Sequence, residues 1–161
     1  MKSVNIGLMG CGTVGTGVAR LLIEKQHLIE QRVGAPLVLK RVADLDMERD
    51  RGLTFAPGVF IQDARQIVAD PEIDIVIETV GGETLAKELI LTAMGNGKHV
   101  VTANKALLAA HGNEIFQAAG KNQVDLAFEA SVGGCMPVVK TLRETLAGNR
   151  ILAMTDRKSV V

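Results

Sequence analysis

Short runs of apolar residues alternate along this chain with longer segments whose apolar positions recur at helical spacing. The first run, Val4 to Met9, is followed by Val14, Val18, Leu21, Leu22 and Leu28, so the pattern predicts a strand at 4–9 and a helix over 13–32. Pro36 marks a connection, and Leu37 to Ala43 predicts a second strand. Residues 45–58 carry charges and Pro57-Gly58, the composition of a loop or short helix. Val59-Phe60-Ile61 predicts a brief strand, and Asp63 caps a predicted helix through Val68 that Asp70-Pro71 breaks. A continuous strand follows at 73–80, then a helix from Glu83 to Met94 stopped at Gly95-Asn96-Gly97. Next come a strand at 99–103, a helical segment opening at Asn104-Lys105, a helix at 113–121 and a strand at 124–130. A glycine-rich loop at 131–137 and an amphipathic helix at 138–147 complete the pattern. Such alternation predicts an α/β fold: a Rossmann-type doubly wound, mainly parallel sheet flanked by helices.

The turn between the first strand and helix carries Gly10-x-Gly12-x-x-Gly15, in the context where this spacing has a mechanism. Gly10 permits the tight turn, Gly12 lets the backbone approach a pyrophosphate, and Gly15 lets the helix pack closely on the strand. The helix start at Thr13 and Val14 offers free N–H groups and the positive end of its dipole to the phosphates. Asp44, ending the second strand, is expected to accept the adenosine ribose hydroxyls with both oxygens, which favours NAD. Its offset from the glycines exceeds the usual ~20 residues because the helix and its connection are long. Asp46 competes for that role, and either acid can be a solvated loop residue. Arg41, Arg49 and Arg51 lie close enough in sequence to hold a 2′-phosphate instead, so NAD and NADP both stay open.

Ligands of open parallel sheets sit beyond the carboxyl ends of the strands. That rule puts Thr79, Val80 and Gly81 beside the cofactor, with Thr102, Asn104 and Lys105 at the same edge. A lysine there can bind a phosphate or hydrogen-bond the oxygen of a reacting alcohol or carbonyl; a solvated lysine is the ordinary alternative. Glu129, on an otherwise apolar strand, needs a partner if buried: a backbone N–H, a lysine or a cation. His99 and His111 have no partners at metal-site spacing. Cys135 reads as a small hydrophobe rather than a reactive thiol.

With 161 residues, 47% of them apolar, the chain holds one domain with a substantial core, or one domain and a fragment of another. Zero formal charge without a basic run argues against nucleic acid or an anionic membrane as partner. Two distant cysteines, no signal-peptide pattern and no apolar stretch of spanning length point to the cytoplasm.

Four segments together resemble one family. VNIGLMGCGTVG at 4–15, VIETVGG at 76–82, HVVTANKALLA at 99–109 and FEASVGGCMPVVKTLRETLAGNRI at 128–151 are similar, in order and spacing, to homoserine dehydrogenase, over essentially the whole chain to Met154. The TANK and EASVGG-x-x-P elements separate this family from other Rossmann dehydrogenases, many of which share only the glycine loop. The resemblance implies NAD(P)-dependent interconversion of L-homoserine and L-aspartate 4-semialdehyde, on the route to threonine, methionine and isoleucine. It implies a small-molecule substrate and a homodimer or homotetramer, and it assigns Lys105 to the nicotinamide side, in proton exchange with the substrate hydroxyl. It also implies a sodium-like cation held by the Glu129 carboxylate and the carbonyls of Val132, Gly134 and Met136, ligands that suit a hard ion. Cys135 and Met136 depart from the glycine and aliphatic residue usual there. A non-catalytic dinucleotide-binding regulatory module, or another amino-acid dehydrogenase with a similar first domain, is the alternative.

By the same resemblance, residues 1–135 form a dinucleotide domain, 136–154 the start of a substrate domain, and 155–161 a non-native tail. The family continues past Ile151 into an Asn-Gly-Thr-Thr-Asn segment and a domain carrying a second catalytic lysine. These residues alone are therefore expected to turn over little or no substrate. Asp156 to Val161 reads as the translation of a sequencing adapter, GATCGGAAGAGCGTCGTGTAG, a hypothesis that a genomic clone ending at the same codons would overturn.

Overall fold

The chain, described over residues 2–155 in a computed structural model, builds strands β1 (Val4–Met9), β2 (Leu37–Ala43), β3 (Phe60–Ile61), β4 (Ile75–Glu78), β5 (His99–Thr102) and β6 (Leu126–Ala127). The adapter-like residues Asp156–Val161 lie outside the described residues. The strands form one sheet in the order β3-β2-β1-β4-β5-β6, with every pair parallel. Helices α1 (Thr13–Glu24), α2 (Gln26–Val33), α3 (Arg65–Ala69), α4 (Thr84–Gly95), α5 (Lys105–Asn122), α6 (Glu129–Val132) and α7 (Val138–Lys140) connect or follow them. This is the expected doubly wound architecture. Its strand order reverses at β1, and the crevice at the carboxyl ends of β1 and β4 is where such sheets bind ligands.

Parallel crossovers cover both faces of a sheet with helices, so its strands can be apolar throughout. On one face Met9, Val76 and Val100 pack against Ile67, Leu89, Ile90, Leu107 and Ile115 from α3, α4 and α5. On the other, Leu8 and Val42 pack against Ala19 of α1, flanked by Leu39, Phe60 and Ile77. Leu8 and Met9 are neighbours that serve opposite faces, the period-two alternation of a strand. Each such fully buried side chain contributes about 1.5–3 kcal/mol by leaving water.

Several elements differ from the sequence expectation for identifiable reasons. The helix expected over 13–32 breaks at Lys25, because its buried stripe of Gly15, Ala19 and Leu22 ends there and α2 buries no residue. The helical segment expected to open at Asn104-Lys105 and the helix expected at 113–121 are one continuous helix, α5, which Asn104 caps by accepting the Leu107 N–H through Oδ1 at 3.1 Å. The strand expected over 124–130 pairs with β5 only at Leu126 and Ala127, because Phe128 already stands at the start of α6 and the Thr102 carbonyl accepts the Ser131 hydroxyl instead. Glu129 therefore opens α6 rather than sitting in the sheet. The helix expected over 138–147 is short: α7 passes into a π-helical turn at Thr141–Thr145, and neither piece buries a residue. No described helix is long and apolar enough to cross a membrane.

At the amino end of the sheet, Lys98 is buried and donates through Nζ to the carbonyls of Asp70 (2.5 Å) and Ile73 (3.0 Å). Burial lowers its pKa from the usual lysine value, and the carboxylates of Asp70 and Asp74 partly oppose that shift. Between the lowered folded value and 10.5 the unfolded chain binds the extra proton, so stability gains from this group as pH rises through that window. Urea unfolding at stepped pH is expected to show the wild type gaining on Lys98→Met toward pH 10.5. Parallel curves would remove Lys98 from the pH dependence.

Candidate functional site

The three glycines between β1 and α1 have separate tasks. Gly10 has a left-handed backbone (φ +87°), and a Cβ there would lie 2.7 Å from the Thr79 and Val80 backbone, so turn and contact both require glycine. At Gly15 a Cβ would overlap the Gly10 carbonyl oxygen and come within 2.8 Å of Thr79 Oγ1. Gly12 faces open space, with nothing within 4 Å of a Cβ built on it. No side chain caps α1. An anion approaching over Gly12 thus meets first-turn N–H groups without side-chain partners at the positive end of the helix dipole. This cradle, which a side chain at position 12 would fill, fits a dinucleotide pyrophosphate. Thr79 fastens β4 to the turn, its hydroxyl lying 2.8 Å from the Gly10 carbonyl and 3.2 Å from that of Met9.

Asp44 follows β2 directly and is only partly exposed. Its Oδ2 accepts the Cys11 N–H at 2.6 Å, and Oδ1 accepts the Asp46 N–H at 2.9 Å and pairs with Arg51 at 3.2 Å. A carboxylate has about four acceptor positions. Three are taken, so the expected grip on both ribose hydroxyls is corrected to one free position. Asp46 instead closes its own turn, accepting the N–H groups of Glu48 and Arg49. Of the three arginines near the second strand, Arg51 and Arg41 are held by the protein itself. Arg51 has a side chain 4% exposed and donates to the carbonyls of Cys11 (2.9 Å), Arg49 (2.8 Å) and Asp46 (2.6 Å), with its guanidinium 4.8 Å from the Phe60 ring centre. Arg41 donates to the Gly58 carbonyl.

Arg51 is thus a strut between the glycine turn and the 44–52 loop. Sequence gave no sign of it, because a structural arginine differs from a ligand-binding one only in what surrounds it. Arg51→Met is expected to cost about 3 kcal/mol, since it strips the cation from Asp44 and the donors from three carbonyls. Urea unfolding measures this, and a loss below about 1 kcal/mol would refute the strut.

Two cavities open at the carboxyl edge of the sheet and meet at Thr79. The larger, about 480 Å³, is lined by Gly10, Gly12, Asp44, Val80, Leu85 and Leu89 among others. The second, about 270 Å³, is lined by Val14, Glu78, Gly81, Ala103, Asn104 and Lys105. Lys105 is the first residue of α5, exposed, with Nζ 3.4 Å from the Ala130 carbonyl. Thr13 is exposed at the start of α1. Thr102, expected at the cofactor, is fully buried, lines neither cavity and donates to Glu78 Oε2 at 2.6 Å. Its contact is with the protein.

The glycine-rich segment after β6 is organised by Glu129. Its two oxygens accept the N–H groups of Val139 (2.9 Å) and Lys140 (3.2 Å), so the carboxylate has found the backbone partner that a half-buried acid requires. Val132, Gly134 and Met136 are exposed, and the Met136 carbonyl accepts the Val138 N–H at 2.8 Å. The carboxylate is thus engaged by the backbone of α7, and among the described residues no group of three or more His, Cys, Asp or Glu side chains stands ready for a metal ion.

Residues 10–129 match the family described as homoserine dehydrogenase, NAD binding domain. The chain belongs to the homoserine dehydrogenase family. It is 47% identical over 151 residues to the homoserine dehydrogenase of Neisseria gonorrhoeae, covering 94% of this chain and 34% of that protein. Against the Bacillus subtilis homoserine dehydrogenase it is 39% identical over 154 residues, covering 96% of this chain and 36% of the relative. The solved homoserine dehydrogenase of Thiobacillus denitrificans superposes with a TM-score of 0.85 at 44% identity, covering 93% of this chain and 35% of that one. The chain thus spans about a third of the length of the homoserine dehydrogenases it matches. Within that third, residues 10–129 are the part described as NAD binding.

Proposed function

We propose that this chain is the dinucleotide-binding portion of a homoserine dehydrogenase, acting in NAD(P)-dependent interconversion of L-homoserine and L-aspartate 4-semialdehyde. One observation carries the reading: two cavities share Thr79 in their walls beside an uncapped glycine turn, with Asp44 on one and Lys105 on the other. A dinucleotide has the same layout, two nucleoside halves joined by a pyrophosphate. The bound nicotinamide supplies the acceptor for the hydride leaving the alcohol carbon. Gly12 and the α1 first turn hold the phosphates, and the apolar walls of Leu85 and Leu89 cover the adenosine half. Asp44 takes a ribose hydroxyl with its remaining acceptor position. Asp44 and Asp63 both line that cavity and would repel a 2′-phosphate, which favours NAD as the tighter ligand. Lys105, exposed to solvent, holds the substrate oxygen and passes the hydroxyl proton on to water while the hydride leaves the alcohol carbon for the nicotinamide.

Calorimetric titration of the chain with NAD and NADP tests the binding half, and binding of neither overturns it. The catalytic half is tested by homoserine-dependent formation of reduced nicotinamide in a chain carrying the remaining two-thirds of the family's length. There Lys105→Ala is expected to lower turnover about a hundredfold with the fold intact. An unchanged rate would remove Lys105 from the mechanism.

A further inference from the structure

We infer that Glu78 is the positioning residue that locks the two loops of the nicotinamide-side cavity into one unit. The inference rests on the dinucleotide reading of that cavity. Glu78 ends β4 and is fully buried, yet among the described residues its carboxylate has no ion-pair partner. Its oxygens are spent on the two neighbouring loops. Oε1 accepts the Gly81 N–H at 3.1 Å, and Oε2 accepts the Thr102 hydroxyl at 2.6 Å.

Each end of this link reaches further. Gly81 and Gly82 are consecutive residues with left-handed backbone (φ +77° and +69°), a turn that two glycines adopt without strain but do not hold by themselves. Glu78 fixes one side of it. Asn104 fixes the other, donating Nδ2 to the Gly82 carbonyl at 2.6 Å. The Thr102 hydroxyl has a single proton, which goes to Glu78, while its oxygen accepts the Asn104 N–H at 3.1 Å. Asn104 in turn caps α5 and so sets where Lys105 begins. Ser131 completes the frame, donating to the Thr102 carbonyl at 2.7 Å.

A carboxylate suits this position because both loops present donors to it. An amide offers one acceptor where two are used, so in Glu78→Gln either the Gly81 N–H or the Thr102 hydroxyl loses its partner. A buried anion without a counter-ion is expensive. Holding the Gly81 turn and Lys105 at a fixed spacing around the nicotinamide is what that cost secures.

The test compares NAD with ADP-ribose, which lacks the nicotinamide, by titration of the chain and its variants. Glu78→Gln is expected to weaken NAD about tenfold while ADP-ribose changes less than about twofold. Equal weakening of both ligands would mean a general structural role and overturn the inference, as would no change in either. Thr102→Val removes the other end of the link and is expected to reproduce the selective loss, whereas Thr102→Ser keeps the hydroxyl and retains NAD affinity. That pair decides the matter should Glu78→Gln not fold, with equal affinities in the two counting against the inference. A wild-type chain that binds neither ligand overturns the dinucleotide reading itself.

Discussion

Gly15→Ala is expected to lower the unfolding free energy by about 3 kcal/mol, although alanine is the better helix former. Two effects oppose each other. Replacing glycine inside a helix favours the helix by about 1 kcal/mol. Against that, the added methyl overlaps the Gly10 carbonyl oxygen and crowds Gly10 C at 2.9 Å and Thr79 Oγ1 at 2.8 Å. Two of these atoms are backbone, in a turn already fixed by the Gly10 N–H bond to the Ala43 carbonyl at 2.8 Å. They cannot swing aside as a side-chain tip would. Relief requires α1 to move off the sheet, which opens the packing of Ala19 against Leu8 and Val42. The clash outweighs the propensity. Thermal unfolding is expected to fall by roughly 10 °C for a chain of this size. An unchanged midpoint would mean that α1 can slide without loss.

The central strands were legible because a parallel sheet covered on both faces makes short, mainly apolar runs, and Gly7-Leu8-Met9, Leu37-Val38-Leu39, Ile75-Val76-Ile77 and Val100-Val101 are their apolar cores. The glycine turn was legible because its reasons are local. Elements whose form depends on a distant partner were not. Val124, Leu126 and Phe128 alternate like a strand, but pairing stops at Ala127, where the chain turns into α6 and Ser131 takes the Thr102 carbonyl. Residues 138–147 have a helical pattern, but none of them is buried among the described residues. The same limit applied to the charged residues of the site. Glu78 meets Thr102 across 24 positions and Arg51 meets the Cys11 carbonyl across 40, so neither partner stands near its residue in sequence. Asp44 was found at the right place, but its share in holding the turn was visible only once Cys11 and Arg51 stood beside it.

Gly12→Val is expected to leave the fold intact and abolish dinucleotide binding, the reverse of the substitution three residues on. Nothing lies within 4 Å of a Cβ at Gly12, and the backbone there is extended (φ −72°, ψ −155°), a conformation open to valine. Thermal unfolding should therefore move little. The isopropyl group would occupy the space through which a pyrophosphate reaches the first turn of α1. With the phosphates held away, two charge-assisted hydrogen bonds from backbone N–H groups are lost, worth about 4 kcal/mol together, or roughly a thousandfold in affinity. The loss should fall equally on NAD and ADP-ribose, because both carry the pyrophosphate. That equality separates a blocked cradle from a disturbed nicotinamide end, where Glu78→Gln spares ADP-ribose. If Gly12→Val bound NAD as tightly as the wild type, the phosphates would have to lie elsewhere, and the glycine turn would be no more than a tight connection between strand and helix.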